Sequence, residues 1–307
     1  MIARTPLADV PATLVAELEE AGLDPVAVHA LVAAALAEDL VGGAVADDVT
    51  SAATVPAELR GTGVMASRDD GVVAGLVVCA LVLVYVLGDD VRVLDRVPDG
   101  TRVGPGDVVM RVEGPVRGLL TAERTALNLT CHLSGIATAT ARWVDALAGT
   151  GTRVLDTRKT LPGLRALQKY AVRCGGGTNH RYGLADEAMV KDNHVLAAGG
   201  VVAAFEAVRA ARPDVRVHVE VTTLEQLRDL LEAGCAHVML DNMDLDTTAE
   251  AVRLTAGRAS LEATGRMSLD RARDVAATGV DFVSVGALTH SVTVLDLGLD
   301  LEPRGPA

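Results

Sequence analysis

From about residue 150 onward the chain repeats one pattern: a short Val-rich apolar run, then an amphipathic stretch with the 3.6-residue period of a helix, then another run. The runs lie at 152–156, 188–191, 215–221, 237–240, 259–261 and 282–285. The stretches between them, 163–174, 199–212, 223–233, 246–256 and 268–278, read as helices. Thr223 and Gln226 form a capping box at the start of one of them, and Gly234 and Gly279 stand where helices stop. Strand–helix alternation predicts a parallel sheet. Six strands in so short a span, with room for a seventh, favour a β/α barrel over a doubly wound sheet. No strand–helix turn carries the glycine fingerprint of a dinucleotide site.

The earlier part of the chain reads differently. Helices are predicted at 11–21 and 25–40, followed by a β-rich section with turns at Pro98-Asp-Gly100 and Pro105-Gly-Asp107. A long amphipathic stretch, 119–147, leads into the barrel, and the tail after His290 alternates like a strand. The expected organisation is an α/β cap over 1–127, with 292–307 returning to it, and a barrel over 128–291. The uncharged stretch 71–88 reaches the length of a short membrane span. Gly75 interrupts it, and Asp69, Asp70, Asp89 and Asp90 bracket it, so it reads as a buried strand, a turn and a buried helix over 76–87.

Half of the 307 residues are hydrophobic but only 2% are aromatic, so Ala, Val and Leu must build the core. The formal net charge of −13 should repel nucleic acid and anionic membranes, and neither is expected as a partner. Cys79, Cys131, Cys174 and Cys235 are too scattered for a zinc knuckle or a redox pair, and read as free thiols of a reducing compartment. Acids stand at the N-terminus where a signal peptide needs an apolar run, so a cytoplasmic location is expected.

Charge becomes informative when it is located. The chain has three lysines, Lys159, Lys169 and Lys191, all in one stretch that also holds Arg153, Arg158, Arg165, Arg173 and Arg181. Only Asp156, Asp186 and Glu187 oppose these eight cations between 153 and 191. Lys169 and Arg173, four apart on a helix, fit a solvated face. Arg158, Lys159, Arg181 and Lys191 sit at strand ends or in a Gly-rich loop, where crowding them is sensible only if an anion fills the space.

The unusual polar residues gather at strand C-termini, the end that carries the active site in β/α barrels. Arg158 and Lys159 follow the first run, Lys191 closes the second, and Glu220 is near the end of the third. Asp241 follows the fourth, Glu262-Ala-Thr264-Gly265 the fifth and Gly286 the sixth. With His180, the cations form an anion trap in which arginine suits planar carboxylates. Thr264-Gly265 and Val285-Gly286-Ala287 occupy the late loops where barrels bind phosphate. Glu220 and Asp241 suit Mg²⁺, sugar hydroxyls or a cationic sugar transition state, and equally suit ion pairs with neighbouring cations. His29, His218 and His237 have no evident partners and read as packing or surface residues. Gly175-Gly-Gly177 reads either as a turn or as a place where backbone approaches a ligand.

Taken together, these blocks resemble the quinolinate phosphoribosyltransferase family, the decarboxylating nicotinate-nucleotide pyrophosphorylases of NAD synthesis. The matching segments are Glu38-Asp39 with Asp48-Val-Thr50, Glu123-Arg-Thr-Ala-Leu-Asn128, His132-Leu-Ser-Gly-Ile-Ala-Thr138 and Asp156-Thr-Arg-Lys-Thr160 with Pro162-Gly-Leu-Arg165. Lys169-Tyr-Ala-Val-Arg173, Gly175-Gly-Gly-Thr-Asn-His-Arg181, Lys191-Asp-Asn-His194, Glu220-Val221, Leu240-Asp-Asn242 and Ser284-Val-Gly-Ala-Leu-Thr-His-Ser291 complete them, in the family's order.

The resemblance implies a type II phosphoribosyltransferase fold, an incomplete β/α barrel with an N-terminal α/β cap. It implies quinolinate and phosphoribosyl pyrophosphate as substrates, Mg²⁺ as cofactor, and a homodimer or larger assembly with shared active sites. Arg124 from a partner subunit, Arg158, His180, Arg181 and Lys191 would hold quinolinate, and Thr157 would also bind substrate. Lys159, Lys191, Glu220 and Asp241 would be catalytic, with Lys159 meeting phosphoribosyl pyrophosphate and Glu220 and Asp241 meeting its ribose and the metal. Thr264, Gly265, Arg266, Val285, Gly286, Ala287 and His290 would take the 5′-phosphate. One departure stands out: the family's Ser-Gly-Gly is here Thr264-Gly265-Arg266. Two rival readings are a related transferase for another pyridine or pyrimidine carboxylate and a non-catalytic anion-binding homologue. Asn179-His180-Arg181 argues against the first, and the intact Lys159, Lys191, Glu220 and Asp241 against the second.

Overall fold

The computed structural model describes residues 3–40 and 48–303. The chain divides into two compact units: Met1–Ala139 with Pro162–Gly175 and Val292–Ala307, and Thr140–Leu161 with Gly176–Ser291.

The first unit begins with helices α1 (Ala12–Glu20), α2 (Pro25–Asp39) and α3 (Val49–Thr54). Asp24 caps α2 by accepting from the Val26 N–H, with Pro25 at the first helical position. Strands β1 (Arg60–Ser67) and β2 (Gly71–Val72), helix α4 (Leu76–Leu87), and strands β3 (Arg92–Arg96), β4 (Arg102–Val103) and β5 (Val108–Pro115) follow. The antiparallel sheet runs β12-β1-β5-β3, where β12 (Leu297–Pro303) is the C-terminal tail, paired from Ser67 opposite Leu297 to Gly61 opposite Pro303. The uncharged stretch is a core element: 11 of the 12 residues of α4 are buried, and Gly75 turns the chain into it at φ +90°. Among the described residues, no single helix is long and apolar enough to cross a membrane. Helix α5 (Val116–Ala146) carries the chain onward in one 31-residue span.

Helix α6 (Arg165–Cys174) also belongs to the first unit. It corrects one expectation. Lys169 is wholly buried, not on a solvated face, because α6 buries Leu167, Gln168, Lys169, Ala171 and Val172 together; Arg173 is exposed as expected.

The second unit is the parallel sheet. Its strands are β6 (Arg153–Leu155), β7 (Glu187–Val190), β8 (Arg216–Val221), β9 (His237–Asp241), β10 (Ser260–Thr264) and β11 (Phe282–Ser284). The helices are α7 (Asp192–Ala198), α8 (Val201–Ala211), α9 (Leu224–Glu232), α10 (Leu245–Thr255), α11 (Ala272–Ala277) and α12 (Ala287–His290). The cap of α9 is confirmed and refined: Thr223 Oγ1 accepts from Gln226 N, while Gln226 Oε1 reaches back to Thr222 N. Gly199 and Gly200, both at positive φ, divide the single helix expected over 199–212 from an additional one, α7.

The strand order β6-β11-β10-β9-β8-β7 makes each strand the neighbour of the next, and the last returns to the first. The ring is interrupted only between β6 and β7. There Thr178 forms a lone parallel bridge to Leu155: Thr178 N donates to Val154 O and Asp156 N to Thr178 O. This is the incomplete barrel, and the seventh strand is reduced to a single bridge.

Burial alternates along the strands with period two. Val217, Val219 and Val221 of β8 are buried, as are Leu261 and Ala263 of β10. The alternate residues, Arg216, His218, Ser260, Glu262 and Thr264, line the two cavities of the barrel instead. One face of the strands therefore builds the hydrophobic core and the other a polar lumen. The apolar pattern ends the fifth run at 261, but the strand continues through Glu262, whose side chain faces the lumen. Glu262 is the central residue of β10, and its relative exposure is 3%.

At Gly135 on α5, an added Cβ would stand 2.3 Å from the carbonyl oxygen of Thr293 and 2.9 Å from Val294 Cα. Gly135→Ala is expected to destabilise the protein by about 1–3 kcal/mol through overpacking against rigid backbone. A urea unfolding midpoint unchanged from the parent's would refute that close approach.

Candidate active site

A cavity of about 270 Å³ at the C-terminal end of the strands is lined by Thr157, Arg158, Lys159, His180, Arg181, Lys191 and Thr264, together with Met189, Met239, Glu262 and Ser284. Seven of the residues singled out in the sequence therefore share one space. Each arrives for a local reason. Arg158 and Lys159 leave the end of β6, where Lys159 N donates to Thr157 Oγ1 at 3.0 Å. Lys191 stands where β7 becomes α7, with its N–H on His194 Nδ1 at 3.0 Å. His180 is placed by Asp156, which accepts from His180 N at 2.8 Å through one oxygen and from Asn179 Nδ2 at 2.6 Å through the other.

The cations are poised for an anion. Arg158 Nε and Arg181 Nε are buried without a hydrogen-bond partner. Arg181 Nη1 donates to Glu187 O at 3.0 Å. Burial, and then the nearby charge of Arg158, hold the Arg181 guanidinium below its ordinary value. A carboxylate or phosphate would satisfy the orphaned donors and relieve the repulsion at once.

Glu220 flanks this space: its Oε2 is 3.7 Å from Lys191 Nζ. Desolvation raises its carboxyl; Lys191 opposes the shift, while the charge of Asp241 adds to it. Asp241 ends β9 opposite Thr264 of β10. Asn242, which the sequence reading quoted in a motif but gave no role, organises this corner at φ +53°. Its Nδ2 donates to Asp241 Oδ1 at 2.9 Å, and its Oδ1 accepts from Arg266 N at 3.2 Å. Gly265, at φ +114°, leaves no room for a side chain, since a Cβ would meet Asn242 Oδ1 at 2.2 Å. The Arg266 N–H is thus already engaged, and only an exposed guanidinium is left to reach a ligand.

The last loop closes on the same corner. A Cβ at Gly286 would lie 2.9 Å from Lys159 Cδ, 3.4 Å from His290 Nε2 and 3.5 Å from Thr157 Oγ1. Val285 is buried, with its N–H on Leu155 O, and Ala287 opens α12. Arg124 belongs to the first unit, exposed on α5.

The histidines correct a second expectation, since each has partners. His29 Nε2 is 2.8 Å from Thr5 O. His237 Nδ1 is 2.7 Å from Ser260 Oγ. His218 Nε2 lies 3.3 Å from Glu187 Oε2, and the His218 ring stands between those of His180 and His237, with centroids 4.8 Å and 5.1 Å away. A period-two pattern with His on the polar face was the available signal, but it becomes legible only once that face is known to line a lumen.

A basic cavity at the C-terminal end of a broken β/α barrel, in a chain that also carries an α/β unit, defines the class: a barrel enzyme for multiply anionic substrates. The models of the quinolinate phosphoribosyl transferase N-terminal and C-terminal domains match residues 48–134 and 136–300. A nicotinate-nucleotide pyrophosphorylase [carboxylating] of Mycobacterium leprae is 55% identical over 271 residues, covering 87% of this chain and 94% of its own. A quinolinate phosphoribosyltransferase [decarboxylating] of Nicotiana glauca is 38% identical, over 83% of this chain and 77% of its own. The crystal structure of NadC from Streptococcus pyogenes superposes with a TM-score of 0.87 at 38% identity, over 92% of this chain and 99% of that one. The chain belongs to the quinolinate phosphoribosyltransferase family.

The lumen also sets a pH dependence. Burial, reinforced by the charges around His180, His237, Arg216 and Arg181, pushes His218 down to about 3. Glu187 Oε2 lies 3.3 Å from His218 Nε2, and its other oxygen is committed to Arg216 Nη1 at 3.0 Å. The folded pKa lies below the unfolded one, so the unfolded chain binds the extra proton between them. Stability is full above about pH 6.5 and falls as pH drops toward 3, His218 contributing at most about 1.4 kcal/mol per pH unit. His218→Gln should flatten the decline in melting temperature between pH 6.5 and 4.5; an identical slope in parent and variant would mean that His218 is not held neutral.

Proposed function

We propose that this chain transfers the 5-phosphoribosyl group of phosphoribosyl pyrophosphate to the ring nitrogen of quinolinate, with decarboxylation. The products are nicotinate mononucleotide, pyrophosphate and CO₂, a step of de novo NAD synthesis. The observation that carries the reading is the pair of buried, partnerless Nε donors of Arg158 and Arg181 in a cavity that also collects Lys159, His180 and Lys191. Such a pocket has a use for a rigid dicarboxylate beside a polyphosphate, and none for a neutral ligand.

The roles proposed are those that the resemblance to the family implies. Arg158, His180, Arg181 and Lys191 grip the two carboxylates, and a partner subunit's copy of Arg124 completes the grip in a homodimer. Lys159 faces the pyrophosphate. Thr264, Gly265, Gly286 and His290 hold the 5′-phosphate, with Arg266 adding its guanidinium. As the ring nitrogen displaces pyrophosphate, positive charge develops on the sugar, and Glu220 and Asp241 stabilise it. The pyridinium so formed is an electron sink through which the adjacent carboxylate leaves as CO₂. Glu220 and Asp241 also fit Mg²⁺. Both offer hard oxygen donors at the same end of neighbouring strands, and the charge of Asp241 helps raise Glu220, as for two carboxylates awaiting a shared cation. Bound there, the ion would neutralise charge on the departing pyrophosphate. A cytoplasmic setting suits four free cysteines, of which burial pushes Cys79 and Cys174 up to about 12.

The test is direct. The protein incubated with quinolinate, phosphoribosyl pyrophosphate and Mg²⁺ should release CO₂ and nicotinate mononucleotide together, and turnover with a different pyridine acid but not quinolinate would overturn the assignment. Chelation with EDTA should abolish the activity, and Mg²⁺ should restore it. Lys191→Ala should lower kcat/KM by about 100-fold or more. Arg253→Ala, on the exposed face of α10, should change it less than about twofold; equal losses in the two variants would mean that the cations act only on stability.

A further inference from the structure

Asparagine tolerates left-handed backbone, and one that serves only that purpose bonds its own main chain two residues on, or nothing. Asn242, at φ +53° directly after β9, does neither. Its Nδ2 donates to the side chain of Asp241, at 2.9 Å from Oδ1, and its Oδ1 accepts from Arg266 N at 3.2 Å. Its own N–H donates to Thr264 O at 3.0 Å. One residue therefore grips both flanks of Gly265 and spends its remaining donor on a site carboxylate. The amide cannot be turned over: reversed, its NH₂ would face the Arg266 N–H and its oxygen the Asp241 carboxylate.

The sheet by itself does not fix this corner. β9 and β10 are paired in register as far as Asp241 opposite Thr264, and both strands end there. Past that pair, the ladder sets neither the rotation of the Asp241 carboxylate nor the course of the loop that starts at Gly265. A bond from Met267 N to Gly265 O, 3.0 Å long, closes the loop on itself. The Asn242 amide ties it to β9. Gly265, at φ +114°, packs so closely on that amide that an added Cβ would stand 2.2 Å from Asn242 Oδ1 and 2.6 Å from its Cγ.

We infer that Asn242 is a positioning residue for the proposed transfer: it fixes the Asp241 carboxylate and the 265–266 loop relative to one another, so that one phosphoribosyl pyrophosphate molecule meets both at once. The inference rests on the proposed function and deepens it, since that reading gives Asp241 the ribose and this loop the 5′-phosphate. The two ends of the sugar phosphate are a fixed number of bonds apart. Asp241 can stabilise charge at the anomeric carbon only where the anchored phosphate has already placed that carbon. A displacement of about 1 Å between reacting groups costs on the order of 100-fold in rate. Conformational tolerance does not account for the residue, because glycine adopts φ +53° at least as readily and carries no amide.

The experiment compares full-length Asn242→Gly and Asn242→Asp with the parent in steady-state kinetics with quinolinate, phosphoribosyl pyrophosphate and Mg²⁺. Glycine keeps the left-handed corner and removes both side-chain bonds. In that variant kcat/KM for phosphoribosyl pyrophosphate should fall by about 10-fold or more, while the KM for quinolinate changes by less than about twofold. Ribose 5-phosphate, titrated calorimetrically without metal, reports the loop alone, and its Kd should rise by about 5-fold or more. Asn242→Asp keeps an acceptor for Arg266 N but sets a like charge against Asp241, and should lose kcat by about 10-fold or more. Parent-like kinetics or an unchanged ribose 5-phosphate affinity in Asn242→Gly would reduce Asn242 to a turn residue and overturn the inference. Equal rises in the two KM values would do the same, since they report general loosening. Should Asn242→Gly fail to fold, Asn242→Asp decides, and a parent-like kcat in it overturns the assignment. A parent enzyme that makes no nicotinate mononucleotide from quinolinate would instead sink the proposed function, so the two failures are distinct.

Discussion

The second unit depends on one buried carboxylate. Asp156 has no exposed surface, and a charge so placed is tolerable only when its oxygens are fully used. They accept from His180 N and Asn179 Nδ2, which fastens the segment 178–180 beside β6. That segment occupies the one interruption of the strand ring and replaces a full strand with a single bridge at Thr178. A complete strand there would supply a ladder and alternating side chains. The bridge supplies instead a bend, from which His180 enters the lumen and Arg181 the mouth. The missing strand is thus the means by which two ligand-facing residues reach the interior of a barrel that its own ladders would otherwise fill.

The alternation of the strands divides two tasks between two faces. On β8 the valines pack outward and Arg216, His218 and Glu220 turn the other way. Stability is drawn from the outer layer, so the inner one is free to carry groups that a packed core would reject. Part of the polar lumen is paired: Glu187 with Arg216, and His237 with Ser260. At the C-terminal mouth, Arg158 Nε and Arg181 Nε are buried without a hydrogen-bond partner. A net charge of −13 sharpens the contrast, since the cations concentrated at this mouth are exceptional in an acidic chain.

Much of this was legible in the residues. The Val-rich runs and their helices give the parallel sheet, and the placing of Arg158, Lys159, Lys191 and Asp241 beside run ends gives the working end of the barrel. Those signals are local, carried by period and by neighbours in sequence. What was not legible depends on closure. Glu262 breaks an apolar run, and in an ordinary two-sided parallel strand a buried acid ends the element; only a closed ring has an inside in which Glu can be mid-strand and wet. His218 and His237 have no partners in sequence because Glu187 and Ser260 come from neighbouring strands. Lys169 looked solvated from its spacing to Arg173, but spacing on a helix names a face without saying what covers it.

Depth in the lumen then sorts the acids by what they can do. Glu220 stands beside Lys191 and Asp241 beside the phosphate-side loops, where a carboxylate can face a cationic sugar or share a metal ion. Glu187 borders only the N-terminal cavity, held by Arg216 and His218. Glu262, opposite Met239 in register as Glu220 is on the other side, alone among them borders both spaces.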